Sequence, residues 1–148
     1  MLFNMDGEVV GMISSSVWND TGKNVVNAYG ISDLKPIIEL LINGKSVPYI
    51  GIYGTTVTEQ LAEEHKMPSG IYVADVDPDS PAMAAGIQIG DIICEASGEE
   101  IKDIAAYQNI VIGSSVGETM EFVGKRLGSD GYVNIKFSVV TTEKEEVK

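Results

Sequence analysis

The stretch Asp77-Pro78-Asp79-Ser80-Pro81-Ala82-Met83-Ala84-Ala85-Gly86-Ile87-Gln88-Ile89-Gly90-Asp91 decides how this chain reads. Ser80 is a natural helix N-cap. Pro81 follows at the first helical position, where a missing N–H is tolerated and the fixed φ suits a helix. Residues 82–85 make a short helix that Gly86 stops, because glycine accepts the left-handed conformation of a helix end. Gly90-Asp91 then leads into a strand at 91–96, closed by Ser97-Gly98.

Upstream of this stretch, residues 70–76 read as a strand. Thr56-Val57-Thr58-Glu59 reads as a capping box opening a helix to about residue 66. Residues 47–53 are an apolar strand containing Gly51. Downstream, Asp103 caps a helix over 104–112 that ends at Gly113. Strands at 118–126 and 132–140 are joined by Leu127-Gly128-Ser129-Asp130-Gly131, read as a hairpin with a long loop. The charged stretch from Thr141, with 142–148 as the tail, is expected to fray.

The first 45 residues form a separate region. Asp6-Gly7 is a turn between Leu2-Phe3 and a strand at 8–13, and Asn19-Asp20-Thr21-Gly22 is a second turn before a strand at 24–31. Ser32 reads as the N-cap of a helix over 33–42. Leu34, Ile37, Ile38, Leu41 and Ile42 fall at helical spacing, with Pro36 in the first turn and a stop at Asn43-Gly44. Elements this few would bury too small a core to fold alone.

Composition narrows the function. The 148 residues carry 22 Asp+Glu against 10 Lys+Arg, a formal net charge of −12. Residues 1–45 hold five acids and three bases, and residues 46–148 hold seventeen and seven, so −10 falls on the second region. Such a balance argues against nucleic acid as a partner and against anionic membrane surfaces. Cys94 is the only cysteine and His65 the only histidine, which leaves no disulfide, no cysteine-based metal cluster and no cofactor to expect. Asp75, Asp77 and Asp79 faintly suggest a calcium loop, but Pro78 and the missing glycine and glutamate make it a poor one. No signal peptide or span of roughly 20 apolar residues is present, so the chain as written reads as soluble.

With Tyr49-Ile50-Gly51-Ile52 ahead of it, the pattern from Asp77 to Asp91 resembles the SPAxxAGI…GD signature of PDZ domains of HtrA/Deg-type serine proteases. The likeness runs from about Val47 to Val140. It implies an α+β, mainly β fold: a PDZ-like, partly open β-barrel with short helices over residues 46–141. Tyr49-Ile50-Gly51-Ile52 then corresponds to the loop that binds a peptide carboxylate, and backbone N–H groups can do this without a cation. A peptide would add as a strand beside this loop. Ile104, Tyr107, Ile110 and Val111 on the 104–112 helix, with Ile50 and Ile52, would line a pocket for its last side chain, and Tyr53 is a further expected peptide-binding residue. The same residues read equally as core, and a glycine in a strand is most often a bulge. One departure stands out: no Lys or Arg lies between Ser46 and Glu64, where some family members place a basic residue.

The stretch Leu2-Phe3-Asn4-Met5-Asp6-Gly7-Glu8-Val9-Val10-Gly11-Met12 resembles the segment immediately after GNSGGP in the same proteases, with Met1 where the proline would stand. Asn27-Ala28-Tyr29-Gly30-Ile31-Ser32 resembles the segment before the linking helix. Residues 1–45 therefore look like the end of a trypsin-like β-barrel plus that helix. The resemblance places the catalytic serine, histidine and aspartate upstream of Met1, so no catalytic residue can be assigned here. Ser14-Ser15-Ser16 and His65 do not suggest a substitute, and Cys94 reads as a small buried hydrophobe.

The reading is a C-terminal portion of an HtrA-like serine endopeptidase of protein quality control that does not itself cleave. It would bind peptide or protein C-termini and misfolded substrates. The parent would work outside the cytoplasm, often membrane-anchored. Trp18, Val25, Val26 and Tyr29 are apolar residues that strand pairing with a second copy through residues 1–45 would cover. The alternative is a stand-alone PDZ scaffold module whose first 45 residues are a dimerisation arm.

Overall fold

The computed structural model describes residues 1–13 and 28–143, which fall into two compact units, Met1–Lys45 and Ser46–Lys148. The expected turn at 19–22, the serines at 14–16, Trp18, Val25 and Val26 lie outside the described residues.

In the first unit, strands β1 (Leu2–Phe3), β2 (Val9–Met12) and β3 (Tyr29–Gly30) form an antiparallel sheet in that order. The Asn4 side chain organises the β1–β2 turn by accepting from the amides of Asp6 and Glu8 at 3.0 and 2.9 Å. Gly7 has a φ of +81° there. Helix α1 (Ile31–Ile42) begins two residues earlier than a Ser32 cap allows: Gly30 is the N-cap and no side chain caps it. Pro36 is therefore the sixth helical residue, not a first-turn one, and α1 forgoes an interior hydrogen bond there. The stop at Asn43-Gly44 is as expected, with Gly44 at φ +65°. No residue of α1 is buried, and Phe3, Leu41 and Ile42 are more than half exposed.

The second unit holds a six-stranded sheet. Its main path is β10 (Gly131–Val140), β9 (Thr119–Gly128), β7 (Ile92–Ala96), β6 (Gly70–Val76) and β5 (Ile52–Val57), with β8 (Glu99–Glu100) pairing to β7. All pairings are antiparallel, and the sheet ends in two edge strands, β5 and β10, so it does not close into a barrel. Its core is Ile71, Val73, Ile93, Phe122, Met120 and Val139, all at most 1% exposed. Ala82 of helix α3 (Pro81–Ala84) and Tyr107 and Val111 of helix α4 (Ile104–Gly113) pack on that core.

Local signals set most element ends. Ser80 Oγ accepts from Met83 N at 3.2 Å, and Asp103 Oδ1 accepts from Ala106 N at 2.7 Å, as N-caps do. Ser97 and Gly98 take φ of +50° and +83° in the two-residue turn that pairs Ala96 with Glu99. Four expectations need correction. Helix α2 (Glu59–His65) is capped by Thr58, not Thr56, which lies within β5. The apolar run at 47–53 breaks at the loop, giving a two-residue β4 (Pro48–Tyr49) before β5 begins at Ile52. The 127–131 loop is only Ser129 and Asp130, because Gly128 pairs with Gly131. Finally, Thr142 and Glu143 do not fray: they form β11 (Thr142–Glu143), paired to β4, and Ser46 Oγ donates to Glu143 Oε1 at 2.6 Å. Thr141, 1% exposed, anchors this return by donating to Ser115 O at 2.5 Å and accepting from Glu118 N at 3.1 Å.

Asp91, the last residue of the opening stretch, is a buried carboxylate with a side chain 1% exposed. Arg126 of β9 meets it in bidentate fashion, Nε to Oδ1 at 2.6 Å and Nη2 to Oδ2 at 2.8 Å, and Nη2 also donates to Gly86 O at 3.0 Å. Gln88 N donates to Oδ2 at 2.9 Å. The pair locks the α3–β7 turn onto β9. Hydrogen bonding to Asp91 raises the pKa of Arg126 further, so the cation persists at every relevant pH. Replacing Arg126→Met strands a buried carboxylate. We expect urea denaturation to show a loss of about 3 kcal/mol, against less than about 1 kcal/mol for the exposed Lys102→Met, whose partner is the exposed Glu100.

Candidate functional site

The segment Tyr49-Ile50-Gly51-Ile52 links β4 to the edge strand β5, and its carbonyls are taken. Ile50 O accepts from Ala82 N at 2.9 Å, and Gly51 O accepts from Asp77 N at 2.9 Å. A trans peptide group points its N–H opposite its C=O. The N–H groups of Gly51 and Ile52 are therefore aimed away from α3 and the 77–81 turn. The Asp77-to-Gly51 bond also flanks the Ile52–Val76 register pair, which makes it a non-hydrogen-bonded pair. Ile52 thus presents both its N–H and its C=O outward from the sheet edge.

Gly51 is required twice over. Its φ is +85°, and a Cβ there would lie 2.3 Å from Ser80 Cβ and 2.9 Å from the Tyr49 hydroxyl. The glycine does not mark a bulge; it lets the N-cap of α3 press directly against the loop.

Helix α4 runs beside the outer edge of β5. Ile104 N donates to Thr56 Oγ1 at 3.1 Å, tying the start of the helix to the far end of the strand. The expected lining residues separate by depth. Ile50 is 2% exposed and Ile52, Tyr107 and Val111 lie at 6–8%, within the core, whereas Ile104 and Ile110 are half-buried against it. Ile50 is core, as the plainer reading has it. Tyr53 turns the other way, 44% exposed, and with Tyr49 donates its hydroxyl to Asp77 Oδ2, the Tyr53 bond being 2.8 Å. Burial, and then the bond to Asp77, pushes the Tyr49 hydroxyl well above its ordinary pKa, and burial does the same for Tyr107. Both hydroxyls stay protonated, and that of Tyr49 donates to Asp77.

Sequence reasoning does not single out Thr56, Asp77 or Ser80 as parts of this arrangement. Thr56 reads locally as a cap, and the contacts that matter are made across the fold. Among the described residues, no group of three His, Cys, Asp or Glu side chains is placed to hold a metal ion. Asp75 and Asp77 instead accept from Val76 N and from the two tyrosines. His65 lies exposed at the end of α2 in the second unit. The Cys94 thiol is pushed up by burial, which makes it a poor nucleophile.

We expect Gly51→Ala to cost about 2–4 kcal/mol in urea unfolding, from a left-handed alanine and an overpacked contact. Adding Ser80→Gly, which removes the clashing Cβ, should return only part of that loss, because the backbone strain stays.

A model of the PDZ domain family matches residues 72–126. A probable periplasmic serine endoprotease, DegP-like, of Halomonas elongata is 31% identical over 140 residues, covering 90% of this chain and 29% of its own length. The serine protease Do-like HtrA of Bacillus subtilis is 30% identical over 158 residues, covering 98% and 34%. The chain thus spans about a third or less of these curated relatives. Among solved structures, the HtrA3 PDZ domain bound to the phage-derived ligand FGRWV matches with a TM-score of 0.54 at 33% identity, over 64% of this chain and 84% of that one. The HtrA-type protease AlgW with decapeptide matches in fold, with a TM-score of 0.61 at 21% identity over 94% of this chain and 43% of its own. The chain belongs to the HtrA/DegP family, and its second unit is a PDZ domain.

Proposed function

We propose that this chain is the peptide-recognition part of an HtrA-type serine endopeptidase, working outside the cytoplasm as its periplasmic relatives do. Its PDZ domain takes the C-terminus of a peptide or an unfolded protein as an added strand on β5. The observation that carries this reading is the outward aim of the Gly51 and Ile52 amides, fixed by the two carbonyl bonds behind them. A carboxylate accepts from those amides, the ligand backbone pairs with Ile52 and the rest of the β5 edge, and the last side chain lies towards Ile110 and Ile104 of α4. Such an arrangement binds and orients; cleavage falls to the protease part of the intact enzyme. Misfolded substrates reach the same groove through exposed apolar ends.

The charge of −10 on residues 46–148 sets the salt response. A suitable ligand is acetyl-FGAWV, the relative's FGRWV with every charge but the carboxylate removed. Fluorescence polarisation should give micromolar or weaker affinity that rises between about 0.01 and 0.15 M salt, as the screening length falls from about 30 to about 8 Å. The amidated peptide should bind at least tenfold more weakly. Equal binding of the amide, or affinity for the acid that falls steeply with salt, would sink the proposal.

The first unit supports a partner. Among its described residues it has three strands and helix α1, which buries no residue of its own, and it exposes Phe3, Leu41 and Ile42. We propose that the rest of the protease barrel covers these residues in the intact enzyme, and that a second copy does so when this chain stands alone. Light scattering behind a sizing column should give a mass above the 15.8 kDa of one chain; a monomer at every concentration refutes it.

A further inference from the structure

Behind the Tyr49–Ile52 loop, on the side its carbonyls face, lies a cleft of about 950 Å³ between the 77–81 turn, α3 and β10–β11. It is separate from the β5–α4 groove. Its floor is apolar, from Pro78, Pro81, Ala84, Ala85 and Val140. Its charged lining among the described residues is of one sign: Asp77, Asp79 and Glu143 contribute carboxylates beside the neutral Ser80, Ser138 and Thr142, and none of the described Lys, Arg or His residues lines it. Two aromatic rings, Tyr49 and Tyr53, complete the wall, with their hydroxyls directed onto Asp77. We propose that this cleft is a second binding site, for the lysine or arginine side chain of a partner peptide.

The chemistry of the cleft selects that occupant. A cation gains from three carboxylates, and from the faces of tyrosine rings when it packs against them. The alkyl stem of lysine or arginine suits an apolar floor, while the charged head reaches the acidic rim. The two tyrosine hydroxyls fix the Asp77 carboxylate as an acceptor, so the anion is ordered before a ligand arrives. The site also touches the recognition loop from behind. Asp77 N holds Gly51 O, and Ser80 Cβ and the Tyr49 hydroxyl fill the space a Gly51 side chain would take. A ligand bound to these residues changes the support of the carboxylate-binding amides, so occupancy of the cleft and of the groove is coupled.

The test uses the full 148-residue chain and acetyl-Ala-Arg-Ala-Lys-Ala-amide, which has no free carboxylate for the loop. In ¹⁵N-resolved NMR titrations we expect shifts at the amides of Asp77, Asp79 and Ser80 and of residues 138–143, but not along Thr55, Thr56 and α4. The affinity should weaken about threefold to tenfold in Asp79→Asn/Glu143→Gln, and should fall with salt. Saturating cationic peptide should alter acetyl-FGAWV affinity at least twofold. Absence of shifts at millimolar peptide, shifts along β5 and α4 instead, or an unchanged affinity in the double variant each overturns the proposal. So does binding that appears only after removal of residues 144–148, which would make the chain's own tail the occupant. If acetyl-FGAWV fails to bind, the groove reading fails, but the shift map of the cationic peptide still decides this one.

Discussion

Two hydrogen bonds, Ala82 N to Ile50 O and Asp77 N to Gly51 O, are the constraint on which the proposed recognition side of the domain depends. They fix the orientation of two successive peptide groups, and with it the direction of the opposing N–H groups. They also choose which residues of β5 face β6 and which face outward. A shift of one residue would send Ile52 out of the core and turn its N–H inward. The loop is therefore held from behind, by the start of α3, and its front stays available. Gly51 is what permits the approach, because any side chain would collide with Ser80.

The same stretch of chain also secures itself against the far part of the sheet. Ser80 and Pro81 start α3, Gly86 ends it, and Asp91 closes the segment onto Arg126. A buried carboxylate costs several kcal/mol to dehydrate, and only the bidentate guanidinium and the Gln88 amide offset this. The motif that identifies the family is thus mostly scaffold. Each of its residues holds the next in place, and the binding loop gains its rigidity as a consequence.

This division explains what was legible in the sequence. Caps at Ser80 and Asp103, and the stop at Asn43-Gly44, depend on residues within one turn of one another, so reading them in order was enough. Thr56 with Glu59 reads as a capping box on local chemistry alone, and only the pairing of β5 with β6, which carries the strand through Val57, moves the cap to Thr58. The return of Thr142–Glu143 to β4 joins residues more than 90 apart and leaves no local signal. In the site, Gly51 and the helix facing β5 were readable. The depth of Ile50 and the convergence of Tyr49 and Tyr53 on Asp77 were not, since alternation along a short strand cannot say what lies behind it.

The charge pattern ties these parts together. An acidic domain proposed to bind a carboxylate looks contradictory until range is considered. Amide donors act at hydrogen-bond distance and in fixed directions, whereas the field of −10 acts over a screening length and weakens with salt. At the Gly51–Ile52 amides the short-range term favours the anion and the long-range term opposes it. In the cleft behind the loop both terms favour a cation, since Asp77, Asp79 and Glu143 add local attraction to the same field. One charge distribution thus gives two faces of a single loop opposite preferences. The loop, braced at Gly51, is the part of the chain that touches both.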